Sequence, residues 1–99
     1  MTYESQLEAL GDPTRRAILE RLLRRPQPVG KLAEKFSISR PAISQHLRVL
    51  KEAKLVTDRE EGTRRIYQID PAGFESLRAY FERFWSGALE AFKEEVEKQ

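Results

Sequence analysis

Ser44, Gln45 and Arg48 fall on neighbouring turns of one stretch, residues 39–53, whose apolar residues Ile43, Leu47 and Leu50 recur at helical spacing on the other side. The polar trio is chemically suited to base edges. Arg grips guanine through two hydrogen bonds, Gln does the same with adenine, and Ser serves either. Ser39 is the expected N-cap of the stretch, followed by Arg40, and Pro41 falls in its first turn. There the free N–H groups and the helix dipole favour an anion such as phosphate. Gln45 and Arg48 are therefore expected at base edges, with Ser44 shared, and Ser39, Arg40 and Lys51 at phosphates; Pro41 lies on the same face. An ordinary amphipathic helix also has a polar face, so the elements around it must decide.

His46 is the chain's one histidine. It reads as a DNA-side contact or as a partly buried polar side chain at the helix interface. A metal role has no second ligand nearby. Arg59, Arg64 and Arg65 flank a strand-turn-strand pattern, where a hairpin beside such a helix reaches phosphates or the minor groove. Glu60 and Glu61 at its expected tip repel phosphate, which leaves binding to its sides. Asp58 and Glu60 offer the alternative of pairing with Arg65 and Arg64 across the strands.

The positioning elements follow from local signals. Tyr3, Leu7 and Leu10 mark a first helix over 3–10, which Gly11 breaks. Asp12-Pro13 is a cap and first-turn pair, starting a helix to about Arg24. Its apolar face is Ala17, Ile18 and Leu22, with Leu19 and Leu23 beside them; Arg15, Arg16 and Arg21 form a basic face. Pro26-Gln27-Pro28 stops it. A third helix over 29–36 points Leu32, Ala33 and Phe36 inward. A turn at Ser37-Ile38-Ser39 follows, with Ile38 as its buried plug. Strands at 55–59 and 64–69 enclose a tip at 60–63. Asp70-Pro71 caps a last helix over 71–96, with a bend allowed at Ser86-Gly87.

The fold class is thus mainly α with a small β-hairpin, a winged helix-turn-helix in the order α-α-α-α-β-β-α. Residues 1–99 form a single domain: helix-turn-helix 29–53, wing 55–69, and first and last helices for dimerisation.

The last helix carries Phe74, Leu77, Phe81, Phe84, Trp85, Ala88 and Leu89, more apolar surface than one side of a domain this small needs. Large apolar excess marks an interface. With Tyr3, Leu7 and Leu10 of the first helix it is expected to form a homodimer. Two-fold pairing would set two reading helices about 34 Å apart, one turn of DNA.

Composition narrows the function. The 99 residues are 39% hydrophobic and 34% charged, as in a globular chain. No run of about 18 apolar residues spans a membrane, and the first residues lack the pattern of a signal peptide, so a cytoplasmic location is expected. There is no cysteine, which removes disulfides and thiolate metal sites. Net charge is +2, yet residues 1–70 hold fourteen Lys/Arg against ten Asp/Glu, and residues 71–99 four against six. The basic surplus lies with the helix pair and hairpin, as a nucleic-acid partner requires. With one His, no Cys and no glycine-rich phosphate loop, there is no catalytic set; an enzyme is not expected, and neither cofactor nor metal.

Three stretches, LEALGDPTRRAILERLL, KLAEKFSISRPAISQHLRVLKEAKLV and GTRRIYQI, resemble the ArsR/SmtB family of bacterial and archaeal repressors. The resemblance covers about residues 5–70. It implies a homodimeric repressor on a palindromic operator, with dimer contacts from the first and last helices and, in many members, release on metal binding. This chain departs from the metal sensors. Val29, Gly30 and Leu32 stand where arsenic and cadmium sensors have cysteines, and the last helix lacks the His of zinc and nickel sensors. A metal-independent member is expected, its effector unknown. The resemblance also places a left-handed glycine at the position of Lys54.

The expected function is sequence-specific binding of double-stranded DNA by a homodimeric repressor. The alternative is a winged-helix protein-interaction module, against which Arg40, Gln45 and Arg48 speak.

Overall fold

A two-residue break at Gly11-Asp12 separates the first two helices of the computed structural model, which describes residues 3–98. The elements are α1 (Glu4–Leu10), α2 (Pro13–Arg24), β1 (Gln27–Pro28), α3 (Val29–Ala33), α4 (Arg40–Glu52), β2 (Val56–Glu61), β3 (Arg64–Ile69) and α5 (Pro71–Glu97). Three starts are set by side-chain caps that satisfy orphan N–H groups, each with proline in the first turn. Asp12 accepts from Thr14 and Arg15, Ser39 from Ala42, and Asp70 from Ala72. At Asp12 the Arg15 N–H is the main cause holding the carboxyl below its ordinary value, against an opposing effect of burial.

Gln27 and Pro28 are not merely a helix stop. They form an edge strand on β3, so the sheet is three-stranded and antiparallel in the order β1-β3-β2. Proline is tolerated at such an edge, where a ladder N–H is not required. The third helix is shorter than expected. Its residues 34–36 continue as turns whose N–H groups still find carbonyls within the segment. The hairpin is tighter too. Glu60 pairs with Arg65 and Glu61 with Arg64 in the ladder, which leaves Gly62-Thr63 as the turn. Gly62 has φ +65°, and a type II′ turn needs positive φ at that first central position.

The core is built from Ile18, Leu19, Leu22, Leu32, Ile43, Leu47, Leu50, Leu55 and Val56, with Ala9, Ala53 and Leu77 closing it. Two expected core residues lie outside: Leu23 is 68% exposed and Ile38 37%. Leu23 sits one residue past the stripe that faces α4, and the turn carries Ile38 over the surface. Leu77, expected at a dimer interface, is buried in the protomer's own core; Leu7, Leu10 and Phe74 pack half-buried against that core.

The first helix is fastened to its own protomer. Gln6, fully buried, donates through Nε2 to the Ala53 carbonyl at 2.6 Å. Arg15 Nε and Arg16 Nη1 donate at 2.7 Å to the carbonyls of Ala9 and Leu10. These arginines therefore cap the end of α1, where cations suit the dipole, and do not form a free basic face. Tyr3 stacks on Tyr80 of α5, ring centroids 3.8 Å apart.

Lys54 turns the chain out of α4 at φ +63°. Its carbonyl then accepts from Gly73 N at 2.9 Å, while Asp70 N donates to Leu55 O at 2.9 Å. A Cβ at Gly73 would collide with that carbonyl, so glycine lets α5 start against the end of α4. The last helix runs unbroken through Ser86-Gly87 and beyond the body, giving a molecule 63 Å long and 26 × 22 Å across.

Candidate nucleic-acid interface

Burial divides α4 cleanly. Ile43, Leu47 and Leu50 are 0% exposed, and Ser44, Gln45 and Arg48 are exposed on the opposite face. None of the three is held by a carboxylate among the described residues. The polar face is therefore placed by its buried core side, while its side chains have no carboxylate partner among the described residues. Pro41 is exposed on the same face.

The start of the helix is capped as expected, which turns the Ser39 side chain to the backbone. The Ser39 hydroxyl is occupied as the N-cap, accepting from Ala42 N at 3.3 Å. Arg40 bends toward α3, its Nη1 passing 3.8 Å from where a Cβ at Gly30 would lie. His46 is half-buried with Arg15 Nη1 3.4 Å from its Nδ1. It sits beside Arg15 at the start of α2, as expected of a partly buried polar side chain at the helix interface.

The cations of the wing are mostly engaged. Arg65 bridges Asp58 and Glu60, both at 2.8 Å. The expected pairing of Glu60 with Arg64 does not form, because the register sets Glu60 opposite Arg65. Arg59 donates to Gln68 at 2.8 Å and lies 3.5 Å from Glu61. Arg64 has no carboxylate partner among the described residues. Lys51, expected at a phosphate, instead meets Asp58 at 2.8 Å.

Asp58 is thus a hub that sequence reasoning treated only as a partner of Arg65. Its side chain is 6% exposed and joins the end of α4 to both strands of the wing. Burial pushes its carboxyl upward, but hydrogen bonds from Lys51 and Arg65 outweigh that and hold it below the usual carboxylate range. The signal was an acidic residue early in the strand Val56-Thr57-Asp58, close after a helix with Lys51 in its last turn.

No cluster of three or more His, Cys, Asp or Glu able to hold a metal occurs among the described residues. Among them, too, no helix is long and apolar enough to cross a membrane. The exposed apolar residues collect on α5: Phe81, Phe84, Trp85, Leu89, Phe92 and Val96 are each 51–68% exposed. Ala88 lies exposed among them.

Comparison with known proteins agrees with this geometry. Residues 10–59 match the model of a helix-turn-helix domain family. The chain is 52% identical over 92 residues to the HTH-type transcriptional regulator Rv2034 of Mycobacterium tuberculosis, covering 93% of this chain and 86% of that one. It is 46% identical over 55 residues to the transcriptional repressor SdpR of Bacillus subtilis, covering 56% and 61%. Among solved structures it resembles a possible transcriptional regulator for arsenical resistance, with TM-score 0.76 and 52% identity over 82% of this chain and 84% of that one. An ArsR-like transcriptional regulator from Rhodococcus sp. RHA1 superposes with TM-score 0.77 at 33% identity, covering 93% and 90%.

Proposed function

This chain belongs to the ArsR/SmtB family of winged helix-turn-helix transcriptional regulators, and from that premise we propose that it acts as a homodimeric repressor on a palindromic operator. It is a DNA-binding regulator and not an enzyme. In the proposed complex α4 enters the major groove, Gln45 and Arg48 read base edges with Ser44, and bound protein occludes transcription. The helix-turn-helix, residues 29–53, and the wing, 55–69, form the DNA-binding half-unit, while α5 supplies the dimer face.

One observation carries the reading: three exposed, uncommitted hydrogen-bonding side chains stand on the face of α4 opposite a fully buried stripe. Metal control is not part of the proposal, since Val29, Gly30 and Leu32 cannot supply thiolates. Added zinc or cadmium, or a chelator, is expected to leave DNA affinity unchanged.

Selection from randomised duplexes at defined salt tests the proposal by recovering a palindrome. Arg48→Ala is then expected to cost roughly 1–3 kcal/mol and to relax base preference at one position. Equal weakening on all sequences would remove Arg48 from the base-reading set, and failure to enrich any sequence would favour a protein-interaction module.

A further inference from the structure

Two cations and two carboxylates meet where α4 approaches the wing, and their charges cancel. Lys51, in the last turn of α4, reaches Asp58 of β2 at 2.8 Å. Arg65 of β3 spans the same carboxylate through Nη1 and Glu60 through Nη2, each at 2.8 Å. Lys51 follows Arg48 by three residues, so the two are neighbours on the helix surface. The neutral cluster therefore stands between the proposed reading face and the wing.

Burial makes this neutralisation persistent. The Asp58 side chain is 6% exposed, and a carboxylate so far out of water is costly without its partners. Lys51 and Arg65 cannot both leave it. The pair of Arg59 with Glu61 differs, being 3.5 Å apart with side chains 50% and 60% exposed. Isolated exposed pairs of that kind hold little, whereas networks hold more. The chain thus withholds two particular cations, one of them beside a base-reading side chain.

We propose that Asp58 and Glu60 restrain sequence-independent DNA binding by keeping Lys51 and Arg65 in internal ion pairs, and so sharpen selectivity for the operator. The inference rests on α4 being the groove element. Phosphate attraction supplies essentially all of non-specific binding, and a regulator meets a large excess of competing non-specific sites. On the operator, Gln45 and Arg48 fix the register, and cations paired inside the protein stay where they are. On other sequences no register is fixed, and unpaired cations would settle on whichever phosphates lie nearest. Internal pairing removes that second gain and leaves the base contacts intact.

Salt-dependent binding to a duplex lacking the operator tests the restraint. Glu60→Gln is expected to steepen the slope of log K against log salt by about 0.9, and Asp58→Asn with Glu60→Gln by about 1.8. Each amide keeps the size of the side chain and an acceptor oxygen, so the change is one of charge. Non-specific affinity should rise more than operator affinity, which narrows their ratio. Glu94→Gln, far along α5, adds the same charge and should leave the slope as in wild type. Unchanged slopes in the folded wing variants would overturn the proposal. So would weaker binding to both duplexes, which would make the cluster a strut for the wing, or an equal steepening by Glu94→Gln, which would reduce the effect to net charge. Because Asp58 also supports the fold, Glu60→Gln, on a side chain 75% exposed, decides the matter if the double variant melts early. If the slopes fail while Arg48→Ala still relaxes base preference, only the restraint falls; a wild type without sequence preference would take both readings down.

Discussion

Lys54 holds a backbone conformation that L side chains resist, since Cβ crowds the following carbonyl at positive φ. It is tolerated because the turn it makes delivers Leu55 into the core and offers a carbonyl to Gly73. Lys54→Gly is therefore expected to stabilise the fold by about 1 kcal/mol. Thermal melts at fixed protein concentration check this, and an unchanged or lower Tm would count against it. The converse holds at Gly73. Alanine there gains about 1 kcal/mol of helix propensity but drives a methyl into the Lys54 carbonyl, which the hydrogen bond between the same two residues prevents from retreating. Overpacking of this kind costs about 1–3 kcal/mol, so Gly73→Ala should lower the Tm. The Lys54 turn was legible in sequence through the family's glycine; the tight contact at Gly73 was not, because it joins residues from two helices that only the fold brings together.

Among elements, the coupling of α4 to the wing depends on Asp58. Its pKa lies below that of the unfolded chain, so its contribution to stability is complete above the unfolded value of about 3.9 and disappears as pH falls through the lower folded value. Urea unfolding of wild type and Asp58→Asn should differ at neutral pH and converge as the pH drops below about 3.9. Curves that stay parallel down to pH ~2 would show that the carboxylate adds nothing. Asp12 titrates in the same direction, so the variant should retain part of the acid limb. Asp12→Ala is expected to cost about 1 kcal/mol through the lost cap. Helices α1, α2, α4 and α5 and both long strands were readable from caps, proline positions and periodicity. The edge strand β1 was not. Two residues containing a proline carry no strand pattern, and their pairing partner Ile66-Tyr67 lies about forty positions away in sequence.

At the scale of the whole molecule, α5 is a helix of 27 residues, about 40 Å long, of which only the first turns touch the body. From Phe81 onward the described residues leave its large apolar side chains more than half exposed. A surface of this kind is expected to close on a second copy. Sedimentation at micromolar concentration should give a dimer, and Trp85→Glu or Leu89→Glu a monomer of unchanged helicity. Both side chains are more than half exposed, at 68% and 56%, so their replacement spares the protomer core. The monomeric variants should also bind a two-half-site operator far more weakly, because linked half-sites raise effective concentration. Wild-type monomers would refute the dimer proposal.

By itself the sequence determined the element order around α4, the inward stripe Ile43-Leu47-Leu50 and the outward trio Ser44-Gln45-Arg48. Those features depend on residues a few positions apart, and helical periodicity and capping act over that range. Tertiary structure alone decided which cations are free. Lys51 and Arg65 are engaged by Asp58, Arg15 and Arg16 by the end of α1, while Lys31, Arg40 and Arg64 face one trough. It also divided the apolar residues of α5 between the protomer core, which takes Leu77, and the open face from Phe81 to Val96. The physical reason is range: an ion pair or a buried contact is set by distance in space, and composition records which charges exist but not which ones meet.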